Sequence, residues 1–169
     1  MLKGIDEQKQ EIQAITENVE APTFENTILA LDNAGELMSR VRQVFGPLSS
    51  SDSNQEFRDF QKEISPLTSE LSNSTYLNDK LFQRVKQVYE NKEGREYDKE
   101  QLKLIENYYK RFVRNGAELD TEKKEQLAKL NNDISMLQLQ FSQNLLHETN
   151  NTFVTVDKLE HLDGLPQNR

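Results

Sequence analysis

Apolar residues recur along this chain at steps of three, four and seven, the spacing that puts them on one face of an α-helix. The first such stretch runs from about Leu2 to Val19, with Ile5, Ile12, Ile15 and Val19 on one face, and Ala21-Pro22 stops it. Thr23 has the character of an N-cap, with Glu25 favourable in the first turn. Phe24, Ile28, Leu31, Met38, Val41 and Phe45 then predict one second helix that ends at Gly46-Pro47. After the polar stretch Ser49-Ser50-Ser51-Asp52, Ser53 and Glu56 have the spacing of a capping box for a third helix carrying Phe57, Phe60, Ile64, Leu67 and Leu71. Pro66 lies inside that pattern and removes a backbone donor, so a kink near Lys62 to Ser65, or a break, is expected. A fourth helix starts near Asn78, shows Leu81, Val85 and Val88, and closes at Lys92-Glu93-Gly94-Arg95. Asp98 and Gln101 pair as a cap for a fifth, which places Leu102, Ile105, Tyr109 and Phe112 together and stops at Asn115-Gly116, where the glycine suits a left-handed C-cap.

The sixth helix begins at Asp120 or Thr121 and runs to about Thr149, with the stripe Leu127, Leu130, Ile134, Leu137, Phe141 and Leu145 expected in the core. Leu139 and Leu146 fall roughly 110–150° around the helix from that stripe, beside Ser135 and Ser142. This helix is therefore expected to be buried on two sides: on one by the domain's own bundle, on the other by further structure or a local element such as Phe153 to Val156. That last segment, Phe153-Val154-Thr155-Val156, alternates like a short strand, and Asp157 caps a brief turn ending in Gly164-Leu165-Pro166. Short connections make antiparallel neighbours, which favours a bundle over a coiled coil. The expected fold is all-α: an antiparallel bundle of about six amphipathic helices with a short extended segment near the C-terminus, residues 1–169 forming a single helical domain.

Composition narrows the function. The 169 residues carry a net charge of −8, which argues against a nucleic-acid surface, since phosphate binding needs clustered positive charge. There is no cysteine, which excludes a disulfide framework, a thiolate zinc site and a cysteine nucleophile. No segment approaches the roughly 20 apolar residues of a transmembrane span. Candidate chemistry is sparse. His147-Glu148-Thr149-Asn150-Asn151 opens like an H-E-x-x-H zinc motif, but Asn151 stands where the second histidine belongs, and the other histidine, His161, is isolated. No G-x-S-x-G elbow and no phosphate-cradling glycine loop exists. Glu122 and Glu125 read as solvated helix positions. Tyr108 and Tyr109 beside Lys110, Arg111 and Arg114 offer a basic-aromatic face, against which stands the plainer reading that Tyr109 is core and the cations pair with acids such as Glu106. Asn73-Ser74-Thr75 and Asn150-Asn151-Thr152 match the short glycosylation sequon. The residues alone describe an all-helical domain with no catalytic set.

Several stretches carry more information together. Glu20-Ala21-Pro22-Thr23-Phe24-Glu25-Asn26-Thr27 opens the second helix, Asn107-Tyr108-Tyr109-Lys110-Arg111-Phe112-Val113-Arg114-Asn115-Gly116-Ala117 closes the fifth, Phe141-Ser142-Gln143-Asn144-Leu145-Leu146 lies in the sixth, and Leu162-Asp163-Gly164-Leu165-Pro166 follows. In this order, from about Ile5 to Pro166, they resemble the N-terminal region of the M3 (thimet oligopeptidase) family of zinc metallopeptidases, most closely its bacterial peptidyl-dipeptidase branch, with the oligopeptidase A branch as near neighbour. The resemblance implies a helical enzyme whose single zinc is held by an H-E-x-x-H motif and a later glutamate in the C-terminal half, and which takes dipeptides from the C-terminus of short peptides in a deep channel. That motif is absent here, so no catalytic, cofactor-binding or metal-ligating residue carries over. The chain would be a non-catalytic N-terminal domain, inactive by itself, that walls the channel and restricts access to short peptides. Zinc would belong to the parent enzyme, and the partners would be the parent's C-terminal catalytic half and, through it, short peptides. The expected location is cytoplasmic, with a periplasmic or exported one open, and weak self-association of the isolated domain is expected. Two other readings stand beside this one: the same region of an endopeptidase of the oligopeptidase A type, and a free-standing helical interaction module.

Overall fold

The computed structural model describes residues 1–51, 54–153 and 155–164, and it is all-helical, with no strand among the described residues. Helix α1 spans Leu2–Glu17. A wide, π-type turn at Phe24–Leu29 leads into the short α2, Ala30–Asn33, followed by α3 at Glu36–Ser51. Then come α4 at Gln55–Tyr76, α5 at Asp79–Glu90, α6 at Lys99–Arg114 and the long α7 at Thr121–Asn151, with 3₁₀ turns at Lys92–Gly94 and Leu159–Leu162.

Local chemistry sets most of these boundaries. Thr23 accepts from the Asn26 amide at 3.1 Å while the Asn26 side chain accepts from the Thr23 amide at 2.8 Å, a reciprocal cap. Asn78 caps α5 by accepting from Leu81 N, and Asp98 and Gln101 form the expected box for α6. Asp120, which accepts from Lys123 N, starts α7. At the end of α6, Gly116 adopts φ +91°; its N–H donates to Val113 O, and the Ala117 N–H donates to Phe112 O, both at 3.0 Å. This pair of bonds is the left-handed helix stop expected at that glycine.

Other boundaries differ from the sequence reading. Val19 is 99% exposed, because α1 ends at Glu17 and Asn18 is already extended. The second predicted helix is divided at Ala34-Gly35. Gly35 takes φ +82° and donates its N–H to Glu11 Oε2 at 2.7 Å, so a side-chain acceptor on α1 stabilises the break. Helix α3 continues through Gly46-Pro47 to Ser51; Phe45 stacks on Phe57 at 5.5 Å and meets Phe60 edge-on at 5.4 Å, both on α4, which holds this turn by packing. Helix α4 runs without a break through Pro66, flanked by the buried Ile64 and Leu71. Its cap is Asn54, which accepts from Phe57 N at 2.9 Å; the expected cap Ser53 lies outside the described residues. Phe153, Thr155 and Val156 belong to no strand, Lys158 and not Asp157 precedes the following 3₁₀ turn, and Val154, Leu165 and Pro166 lie outside the described residues.

Two apolar clusters form the core. The larger joins Ile12 and Ile15 of α1 to Phe24, Ile28 and Leu31, to Leu81, Phe82, Val85 and Val88 of α5, and to Ile105, Tyr108 and Phe112 of α6. The smaller joins Ile5 to Met38, Ile64 and Leu71. Helix α1 contributes to both, so it ties α3 and α4 to the α5–α6 pair.

Helix α7 corrects the sequence reading most. It packs along α4, but with the opposite face from the one expected. Ser135 meets Ser65 at 2.7 Å, Ser69 donates to Asn132 at 2.6 Å, Asn131 donates to Asn73 at 2.8 Å, and Asn73 donates to the Ala128 carbonyl at 3.2 Å. Gln143 reaches the Arg58 carbonyl at 3.4 Å. The side of α7 that carries Ser135, Leu139 and Leu146 is thus the seated, half-buried one. Leu130, Ile134, Leu137, Phe141 and Leu145, expected in the core, point outward with 49–68% of their surface exposed. The reason is the complementary row on α4: Ser65, Ser69 and Asn73 are small or polar and match the serines and asparagines of that side.

Candidate functional site

Sequence reading assigned no catalytic or metal residue, so the candidate positions are those the fold brings together. The most built of them is an open cleft of about 480 Å³ where the Ala34-Gly35 break faces α1 and α6. Its polar walls come from Gln8, Asp32, Glu36, Tyr108 and Arg111. Tyr108 projects from the buried stripe of α6 and donates its hydroxyl to Asp32 at 3.1 Å. Arg111, one turn on, lies over the Tyr108 ring at 5.2 Å and lines the same cleft as Tyr76. Burial, reinforced by the Asp32 carboxylate, pushes the Tyr108 phenol far above its usual range. The neighbouring Tyr76 hydroxyl raises Arg111, against a smaller desolvation that lowers it. Neither group exchanges a proton near neutrality, so Arg111 supplies a fixed positive charge and Tyr108 a fixed phenol, two groups that can position a ligand.

The Tyr108 environment has a measurable consequence. The folded state keeps the phenolic proton at pH values where the unfolded chain, with a tyrosine pKa near 10, releases it. The associated stability is complete below about pH 10 and is lost as pH rises above it. Urea midpoints measured from pH 8 to 11 are expected to fall more steeply for the natural chain than for Tyr108→Phe. Equal slopes would contradict the burial of Tyr108 beside Asp32.

This cluster is hidden in the sequence because Asp32 and Tyr108 are far apart in the chain and the spacing from Ile105 equally allows Tyr109 as the core residue. The signal was present: Tyr108 lies three residues after Ile105 and four before Phe112, the same face. Tyr109 is instead half-buried, stacked on Tyr89 at 4.0 Å and on Phe82 at 6.0 Å. The basic-aromatic face is divided. Lys110 and Lys103 pair with Glu106 at 2.5 and 3.2 Å, as the plainer reading held, while Arg111 turns into the cleft.

The remaining sequence candidates do not converge. His147 is an exposed residue of α7, and the Asn151 amide lies 3.1 Å from its Nε2 while donating to the His147 carbonyl at 2.8 Å. His161 is exposed in the Leu159–Leu162 turn. Among the described residues no three of His, Cys, Asp and Glu are gathered to hold a metal ion, so the donors here do not fit a zinc site. Glu122 is exposed and accepts from Gln126; Glu125 is exposed as well. Asn73 is engaged with α7.

Comparison with known proteins gives these arrangements a context. A family model described as Neurolysin/Thimet oligopeptidase, N-terminal domain, matches residues 1–124. The dipeptidyl carboxypeptidase of Escherichia coli is 36% identical over 165 residues, covering 98% of this chain and 24% of that protein. The dipeptidyl carboxypeptidase of Salmonella typhimurium is 37% identical over 163 residues, covering 96% of this chain and 24% of that protein. Oligopeptidase A of Haemophilus influenzae is 28% identical over 145 residues, covering 86% of this chain and 21% of that protein. The chain thus spans about a quarter of the length of the curated relatives it matches.

Proposed function

Because this chain belongs to the neurolysin/thimet oligopeptidase N-terminal domain family, we propose that it serves as the non-catalytic N-terminal helical domain, residues 1–169, of a cytoplasmic zinc metallopeptidase of peptidyl-dipeptidase type. The observation that carries this reading is the pairing of coverages. Nearly all of this chain aligns with dipeptidyl carboxypeptidases, while about three quarters of their length lies outside the match. Among the described residues no set of donors is gathered for a metal ion, which supports a reading in which the remainder of such an enzyme carries the metal and the peptide chemistry. What the domain contributes is shape. Two apolar clusters tied by α1 make a rigid helical body, suited to wall a substrate channel and restrict access to short peptides.

The natural full-length polypeptide, incubated with a peptide of about ten residues, a size that suits a deep enclosed site, is expected to release dipeptides stepwise from the C-terminus. Mass spectrometry of the products reads this directly. The match to oligopeptidase A supports a second reading, an endopeptidase, which would give internal cuts instead. A polypeptide that cleaves neither way in the presence of zinc would contradict both.

A further inference from the structure

Among the described residues nothing covers the outer face of α7. Leu130, Ile134, Leu137, Phe141 and Leu145 follow one another at steps of four, three, four and four, the spacing of a seam into which another helix packs. The side chains form a continuous strip, unlike the scattered single leucines normal on a surface. From Ile134 to Leu146 the sequence has no Asp, Glu, Lys or Arg, although 30% of the chain is charged. Loss of charge is the compositional mark of an interface core, and a solvated helix face has no need of it. The opposite face is already seated on α4 through its serines and asparagines, so the strip is a second, separate contact surface.

We propose that this outer face of α7 is the seat of the polypeptide that follows the domain in the full-length peptidase, and that an apolar helix of that portion packs along Leu130–Leu145. The proposal rests on the reading of the chain as an N-terminal domain. Area decides between this occupant and a second copy of the chain. At 1.5 Å per residue the strip is about 22 Å long, and with a helix about 10–12 Å across it offers on the order of 250 Å². A stable association of two separate proteins buries roughly 800 Å² on each partner, so two copies meeting here would hold only weakly. A segment of the same chain needs less, because its tether replaces the translational freedom that separate partners must give up. The relatives have such a segment: about three quarters of their length lies outside the match.

The test exploits the absence of native cysteine in these 169 residues. Leu137→Cys and Phe141→Cys, with Glu93→Cys as an exposed control, are placed in the 169-residue chain and in the natural full-length polypeptide. Maleimide labelling is followed by mass spectrometry of the peptide that holds each site. Both α7 sites are expected to label at the control rate in the 169-residue chain and at least about tenfold more slowly in the full-length protein, since labelling requires the site to open. Labelling at the control rate in the full-length protein would overturn the proposal. Slow labelling in the 169-residue chain, with a mass that doubles at micromolar concentration, would overturn it in favour of a second copy. Peptide cleavage by the same full-length samples is scored separately. Shielded sites in a protein that cleaves nothing would strike the peptidase reading alone, and open sites in an active peptidase would strike the docking surface alone.

Discussion

Phe112→Ala is expected to destabilise the 169-residue chain by about 3–5 kcal/mol, the usual cost of removing a buried ring and leaving a cavity. Phe112 is fully buried, and its ring meets Tyr76 at 5.2 Å and Phe82 at 6.0 Å, so the loss is felt by α4, α5 and α6 together. Ile134→Ala provides the contrast. Composition and periodicity put Ile134 at the centre of a core stripe, yet it is half exposed on α7, and its truncation is expected to cost under about 1 kcal/mol in the 169-residue chain. Urea unfolding of both variants measures the difference. A cost at Ile134 as large as that at Phe112 would mean that α7 is rotated on α4 from the position described.

The second large effect lies at Arg84, which is buried on α5 and whose guanidinium donates to Asn18 O at 2.7 Å, Glu20 O at 3.1 Å and Asn26 Oδ1 at 3.0 Å. It fastens the end of α1 to the cap of the following turn, since Asn26 Oδ1 also accepts from the Thr23 amide and the Thr27 hydroxyl. Arg84→Met keeps the apolar stem and removes all three donors, at an expected cost of about 2–4 kcal/mol. Arg84→Lys is expected to restore little, because one ammonium cannot span two carbonyls and an amide oxygen as the planar fork does. Hydrogen exchange at the amides of residues 21–27 should rise in both variants. Full stability in Arg84→Lys would show that the pinning depends only on charge.

What the sequence made legible follows from how local each determinant is. The caps at Thr23 and Asp98, the helix starts near Asn78 and at Asp120 or Thr121, and the stop at Gly116 are decided within a few residues, and the structure has them as the sequence predicts. Gly35 was passed over because its neighbours continue a helical apolar pattern; the break depends on Glu11, an acceptor from a different helix. The Tyr108–Asp32–Arg111 cluster was hidden for the same reason, since it exists only once α6 meets the end of α2. Helix α7 shows a further limit. Its two apolar sides were visible, but periodicity does not say which side has a partner. The answer lay in α4, whose Ser65, Ser69 and Asn73 form a row that only the serine and asparagine side of α7 can match.

We propose that this helical domain supplies no catalytic centre of its own. Elemental analysis of zinc in dialysed samples, alongside peptide cleavage by the same samples, is the decisive measurement. The 169-residue chain should retain no stoichiometric zinc and cleave nothing, with His147→Ala indistinguishable from it, while the natural full-length polypeptide is expected to hold about one zinc per chain, as a catalytic zinc enzyme does, and to lose cleavage when a chelator removes it. One zinc per 169-residue chain, accompanied by cleavage and abolished by His147→Ala, would contradict the account.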